Sequence, residues 1–369
     1  MSPKTFQDLV EEVHEKGICQ ECGGCVSFCS SVDYNVIGFI EGKSHPVYID
    51  KDKCLECGIC YYICPQTHIL DEDLNQTYKF TDFNTMLLGH FESINSCQST
   101  DDDFLKHGTD GGVVNSIINH LLEKKVIDGA IVSKTKTPFS RKAKFAENKV
   151  DLIAASGIVL DMSSQLDEIQ KFSTYTHTIA KLNRYKFKKL AIVGTPCQIY
   201  TIRCMQSLGV IPSENIELCL GLFCYENFIF DKLKMEKFRR DFNVRVEDIE
   251  KINVREDLMF KVKDNGGHKT THIPFDQLND YMRPACNACN DFTNVYADIS
   301  FGGLGSNEGF TTAIPRTEKG KKILMNAINE GVITCLELNL DEKKETKELL
   351  MRYSQLKLER KENYMKHLT

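Results

Sequence analysis

The 369 residues contain no stretch approaching the roughly 20 consecutive apolar residues that a membrane-spanning helix needs. That absence argues against a helical membrane span. Met1-Ser2-Pro3-Lys4-Thr5-Phe6 runs straight into acidic residues without an apolar signal core, so the cytoplasm is the expected location. An excess of positive charge is also missing: the formal net charge is −6. Nucleic acid and anionic lipid usually require a basic face, so neither is an expected partner. What is present is a globular composition, 41% hydrophobic and 27% charged, in a chain long enough for two or three domains.

Cysteine is plentiful, with sixteen in the chain. In a reducing compartment such usage points to metal or redox chemistry before disulfides. Two near-identical runs stand out: Cys19-x2-Cys22-x2-Cys25-x3-Cys29 and Cys54-x2-Cys57-x2-Cys60-x3-Cys64, the second followed by Pro65. In two-cluster ferredoxins the first three thiolates of each run hold one cubane and the fourth reaches the other cluster. That rule assigns Cys19, Cys22, Cys25 and Cys64 to one [4Fe-4S] cluster, and Cys54, Cys57, Cys60 and Cys29 to a second. The crossing makes residues 1–75 a single folding unit. Between the runs, Val36 to Ile40 and Pro46 to Ile49 read as two short strands.

Residues 70–90, beginning with the polar Asp71-Glu72-Asp73, read as a linker. A larger domain, 76–340, follows. Gly108-Thr109-Asp110-Gly111-Gly112 leads into a helical pattern of apolar residues beginning at Val113, with Asp110 as the expected N-cap. A helix opening behind glycines can seat an anion, although an ordinary capped helix explains the same residues. Lys134, Lys136, Arg141, Lys142 and Lys144 read as a solvated loop or as a grip on an anionic cofactor tail.

Leu190 to Val193 and Ile216 to Phe223 read as buried strands ending near Cys197 and Cys224. Carboxyl ends of strands line the ligand crevice of open α/β sheets, so the two thiols are expected to converge there. Cys286-x2-Cys289 completes four ligands, enough for a third [4Fe-4S] cluster or a four-cysteine zinc site. Spacing alone leaves both open. Cys204 and Cys219 read as core residues, and Cys97 and Cys335 have no evident partners. From Asp341 the charged chain carries Leu349, Leu350, Tyr353 and Leu356 at helical spacing, predicting a docked helix over 341–369. The expected class is α+β: a ferredoxin-like two-cluster module before a mixed α/β domain.

Several of these motifs are similar to one family. Asp110-Gly111-Gly112-Val113-Val114, Gly194-Thr195-Pro196-Cys197-Gln198, Gly221-Leu222-Phe223-Cys224 and Cys286-Asn287-Ala288-Cys289 resemble the beta subunits of coenzyme F420-reducing hydrogenase. F420-dependent formate dehydrogenase and F420H2 dehydrogenase carry related subunits. The resemblance spans about residues 95–335 and implies a bound FAD, F420 as substrate, and a third [4Fe-4S] cluster on Cys197, Cys224, Cys286 and Cys289. It implies flavin contacts at Thr109, Asp110, Gly111, Gly112, Val113, Ser173, Tyr175, Thr195, Pro196, Gln198 and Gly303. The family's Ser-Lys-Tyr-Thr motif stands here as Ser173-Thr174-Tyr175-Thr176, without its lysine. No acid-base or nucleophilic triad is evident. The expected activity is hydride exchange with F420 at flavin and single-electron delivery through three clusters to a partner subunit or ferredoxin-type acceptor. The alternative is the same scaffold serving another reductant, or wiring electrons without F420.

Overall fold

A computed structural model describes residues 4–31, 36–40, 43–137, 140–158, 188–264 and 266–368. Strand β1 (Ile37–Gly38) pairs antiparallel with β2 (Val47–Tyr48), as the alternation between the cysteine runs predicts. The helices Gly24–Ser31 and Ile59–Tyr62 follow directly from the two cysteine loops. Gly58 precedes the second at φ +74°, where an added Cβ would come within 2.3 Å of the Lys4 carbonyl. Phe6, Leu9, Val13, Ile37 and Tyr61 close this module's core around the thiols.

The main domain is built on a mixed sheet. Its strands are β3 (Asn95–Ser99), β4 (Gly129–Thr137), β5 (Ser140–Ala146), β6 (Leu190–Gly194) and β7 (Ile216–Leu222). A separate antiparallel sheet follows, formed by β8 (Ile249–Val254), β9 (Leu258–Asp264) and β10 (Gly267–Ile273). The chain then returns to the main sheet with β11 (Ile299–Gly302), β12 (Thr311–Pro315) and β13 (Ile333–Cys335). Among the described residues the main-sheet order is β13-β3-β12-β11-β7-β6-β4-β5. The neighbours β4, β6, β7 and β11 run parallel. Leu190-Ala191-Ile192 is buried as a continuous run, as strands covered on both faces require.

Four expectations are corrected here. Residues 70–90 are not a bare linker: Asp71–Thr77 is helical, its first-turn acids favoured by the helix dipole, and Leu70, Leu74 and Phe80 join the core of Ile192, Ile199 and Met205. The basic run is a hairpin of β4 and β5 rather than a loop, with Lys144 ion-paired to Asp151. The side chains of Lys136, Arg141 and Lys142 lie outside what the structure describes. Asp110 is not the N-cap of the helix Val113–Glu123; Gly112 takes that position at φ +66°, its α-carbon facing the Phe104 carbonyl with no room for a Cβ. Cys97 and Cys335, without partners in sequence, form a disulfide because antiparallel β3 and β13 bring them directly opposite. Cys204 and Cys219 are fully buried in the core, as expected.

The predicted terminal helix runs Leu340–Lys366, opened by an Asn339–Glu342 capping box. Leu350 is buried, as its spacing predicts, whereas Leu356 is 41% exposed and Lys357 lies inside instead. Tyr364, Met365 and Leu368 reach the core of the N-terminal module. Among the described residues no helix is long and apolar enough to cross a membrane.

Candidate functional site

The parallel strands deliver their carboxyl ends to one cavity of about 270 Å³. Val193, Gly194 and Thr195 after β6, Leu222 to Asn227 after β7, and Phe301 to Leu304 after β11 form its walls, together with the Gly108–Val114 turn. Of the expected flavin contacts, Thr109, Asp110, Gly112, Val113, Thr195, Gln198 and Gly303 line this space. Gly111 does not: it packs on the sheet, where Thr311 Oγ1 accepts its N–H at 3.0 Å and a Cβ would meet the Cys97 carbonyl. Pro196 begins the helix Pro196–Ser207 and lines a different cavity, of about 240 Å³, between the N-terminal module and the main domain. Ser173 and Tyr175 lie outside the described residues.

Asp110 adopts a left-handed φ of +49°, a conformation in which aspartate is enriched among non-glycine residues. Its carboxylate is buried and accepts from Arg255 Nη2 at 3.2 Å. Burial pushes the Asp110 carboxyl above the usual range despite that guanidinium. Arg255 also ties down the glycine loop, donating to the carbonyls of Ser306 at 2.6 Å and Asn307 at 2.8 Å. Nothing in the sequence marks Arg255, because its partners are 51 to 145 residues away. Gly303 is the close approach between them: a Cβ there would stand 2.3 Å from Asp110 Oδ2.

The cavity's polar lining suits a flavin. Thr109 Oγ1 and Arg255 Nε are buried without a hydrogen-bond partner among the described residues. A buried polar atom left without a partner is costly, so both are donors awaiting a polar ligand.

The thiols fall into three groups. Burial pushes Cys25 and Cys64 up, and the neighbouring charges of Cys22 and Cys19 raise both further. Cys19 is pushed up to about 12, chiefly by burial, with Cys22 adding to the effect. Cys29 and Cys60 are likewise raised by burial, and each feels Cys54 and Cys57. In the main domain burial raises Cys197, which feels Cys289 and Cys224, while Cys286 is pushed up to about 12 beside the same two. Asn227, not marked by the sequence, joins two of these: its backbone N–H points at Cys286 Sγ at 3.3 Å and its amide at Cys224 Sγ at 3.5 Å. Such thiols stay protonated unless a cation compensates the thiolate, which is what a metal centre provides. Among the described residues no three or more His, Cys, Asp or Glu side chains are grouped to hold a single metal ion.

The first and third groups adjoin. Thr201, on the helix that carries Cys197, has its hydroxyl 3.5 Å from Cys22 Sγ and 3.0 Å from the Cys197 carbonyl. Across the same seam Arg283 forms a 2.5 Å ion pair with Glu21. Phe28 and Ile63 of the module pack into the core of the main sheet.

Comparison with known proteins identifies relatives of this chain. Residues 94–170 match the family described as coenzyme F420 hydrogenase/dehydrogenase, beta subunit N-term, and residues 187–340 match its C terminus. The chain is 27% identical to the coenzyme F420-dependent sulfite reductase of Methanocaldococcus jannaschii, covering 96% of this chain but 52% of that protein. It therefore spans about half the length of that relative. It is 27% identical to the coenzyme F420 hydrogenase subunit beta of Methanococcus voltae over 75% of this chain and 95% of that one. Identity to one component of the F(420)H(2) dehydrogenase of Methanosarcina mazei is 26%, over 85% and 83%. The fold is similar to a chain of the F420-reducing [NiFe] hydrogenase complex from Methanosarcina barkeri, with a TM-score of 0.65, 26% identity, and coverage of 76% and 93%. With the two matched segments together spanning more than half of its length, the chain belongs to the family of coenzyme F420 hydrogenase/dehydrogenase beta subunits.

Proposed function

We propose that this chain is the electron-converting subunit of an F420-linked oxidoreductase, binding FAD and three [4Fe-4S] clusters. The observation that carries the reading is a continuous line of sites. The cavity wall includes Cys224, the Cys224 group adjoins Cys22 through Cys197 and Thr201, and the Cys22 group is fused to that of Cys29. Names of the relatives support F420 as the hydride partner.

Thr109, Asp110, Gly112, Val113, Thr195, Gln198 and Gly303 would hold the flavin, with Arg255 fixing the loop that covers it. Bound there, flavin supplies the exchange between paired electrons of a hydride and single electrons. The protein's part is to position, to keep water out with Leu222, Phe223 and Phe301, and to line up the thiol groups. Cys19, Cys22, Cys25 and Cys64 would hold one cluster, Cys29, Cys54, Cys57 and Cys60 the second, and Cys197, Cys224, Cys286 and Cys289 the third.

Zinc is the weaker reading of the third group, because the relatives carry the names of redox enzymes and zinc has no redox chemistry. Electrons leaving the chain would pass to a partner subunit or a ferredoxin-type carrier.

Anaerobic quantification of iron, acid-labile sulfide and flavin tests this. About twelve irons and one FAD per chain are expected; about eight irons without flavin would sink the account of the main domain. A second reading keeps the cofactors but uses another reductant, favoured by Thr174 in place of the family's lysine. Bleaching of the bound cofactors by NADH or reduced ferredoxin, but not by F420H2, would decide for it.

A further inference from the structure

Lys357 is 1% exposed, far below what a lysine ordinarily tolerates. Its ammonium donates to the carbonyl of Cys224 and, at 2.6 Å, to that of Asp291. Among the described residues no carboxylate forms an ion pair with it. Carbonyl dipoles alone offset only part of the cost of burying a charge, so a nearby anion is required. The opposing charges that act on Lys357 most strongly are Cys289, Cys224 and Cys286. One turn on, Arg360 donates to the carbonyls of Tyr225 at 2.6 Å and Cys286 at 3.5 Å, and its guanidinium pairs with the buried Glu226. Glu226 pairs with Arg360, and the buried Asp291 carboxyl also acts on Lys357, yet among the described residues no carboxylate oxygen lies within ion-pair distance of the Lys357 ammonium. Both cations lie on the helix Leu340–Lys366, beyond residue 340 where the family match ends.

We propose that this terminal helix supplies the counter-charge of the centre held by Cys197, Cys224, Cys286 and Cys289, with Lys357 as a positioning residue that raises its reduction potential. The inference rests on the third-cluster reading given above. Reduction adds one negative charge to the centre, and a fixed buried cation stabilises that form more than the oxidised one. A structural lysine that merely ties Cys224 to Asp291 would change stability and leave the potential where it was.

The test is a redox titration followed by EPR on the whole chain, with the third centre's signal identified by its loss in Cys289→Ser. Lys357→Met, with iron content unchanged, is expected to disfavour reduction at that centre at least tenfold, about 59 mV for one electron, and to leave the N-terminal pair unmoved. An unchanged potential at full iron loading overturns the proposal. If Lys357→Met loses about four irons, Lys357→Arg, which keeps the charge, must retain them with a near-native potential, and retention of a lowered potential there overturns it equally. Wild-type protein with only the N-terminal irons would instead remove the third-cluster reading itself, a result separable from a failure of the lysine's role.

Discussion

Cys22 and Thr201 meet across the seam between the N-terminal module and the main sheet, sulfur and hydroxyl 3.5 Å apart. The same hydroxyl lies 3.0 Å from the carbonyl of Cys197. One small side chain thus touches a thiol of one proposed cluster and the backbone of a ligand to another.

Thr201→Val removes that hydroxyl while keeping the shape. A thiolate at Cys22 can only accept, so with a cluster bound the hydroxyl proton would turn from the Cys197 carbonyl to sulfur. Hydrogen bonds to cluster sulfurs raise the potential, and without this one the centre on Cys22 should become harder to reduce. Iron content should hold, and stability should fall by about 0.5–1.5 kcal/mol. EPR-monitored titration checks the first effect; an unmoved midpoint would mean that the contact does not reach the cluster.

Gly303→Ala places a methyl group 2.3 Å from Asp110 Oδ2 and 2.8 Å from the Val254 carbonyl. Neither neighbour is free to give, since Asp110 is held by Arg255 and Val254 is backbone at the end of β8. A loss of about 1–3 kcal/mol is expected, with flavin occupancy falling while the iron of the N-terminal module remains. Flavin absorbance and thermal unfolding on the same sample measure both.

Asp110 gives a pH signature. Its folded-state carboxyl is raised, mainly by burial, so the protonated form favours folding. The associated stability is fully present below the ordinary carboxylate value near about 3.9 and is lost as pH rises through the raised one. Asp110→Asn cannot titrate. The wild-type melting temperature should therefore fall relative to this variant as pH increases above about 4, and parallel curves from pH 4 to 8 would contradict the buried-carboxyl account.

The Cys97–Cys335 bridge closes a sequence separation of 238 residues between two neighbouring strands. Cys335→Ser should destabilise the oxidised chain by about 2–4 kcal/mol. Reductant should lower the melting temperature of the wild type and leave that of the variant unchanged. Equal sensitivity of both would show that the bridge contributes nothing to stability.

The parts of the site legible in sequence are those whose chemistry is local. Cys19 to Cys29 and Cys54 to Cys64 announce themselves by spacing, and the strand before Cys224 is visible because Leu218 and Leu220 belong to a continuous apolar run. Strand ends and spacing already grouped Cys197, Cys224, Cys286 and Cys289, and family resemblance favoured a cluster over zinc for them. What stayed hidden depends on distant contacts. Lys357 reads as a surface residue in a charged helix until its 133-residue reach to Cys224 is seen. Arg255 lacks any motif, and the disulfide pairs two cysteines that only sheet order brings opposite. Asp110 misled for a physical reason: aspartate favours helix caps, but here the left-handed turn gives the cap to Gly112 and turns the carboxylate toward Arg255.

The helix Leu340–Lys366 is 27 residues long, about 40 Å at 1.5 Å per residue. Thr346 begins its packing beside Gly305, and Tyr364, Met365 and Leu368 end it within the N-terminal module. The module is therefore finished by Tyr364, Met365 and Leu368, residues remote from it in sequence. Residues 1–75 grafted onto another oxidoreductase would arrive with an open apolar flank, and a transplant that works has to carry the last turns of this helix along with the cysteines.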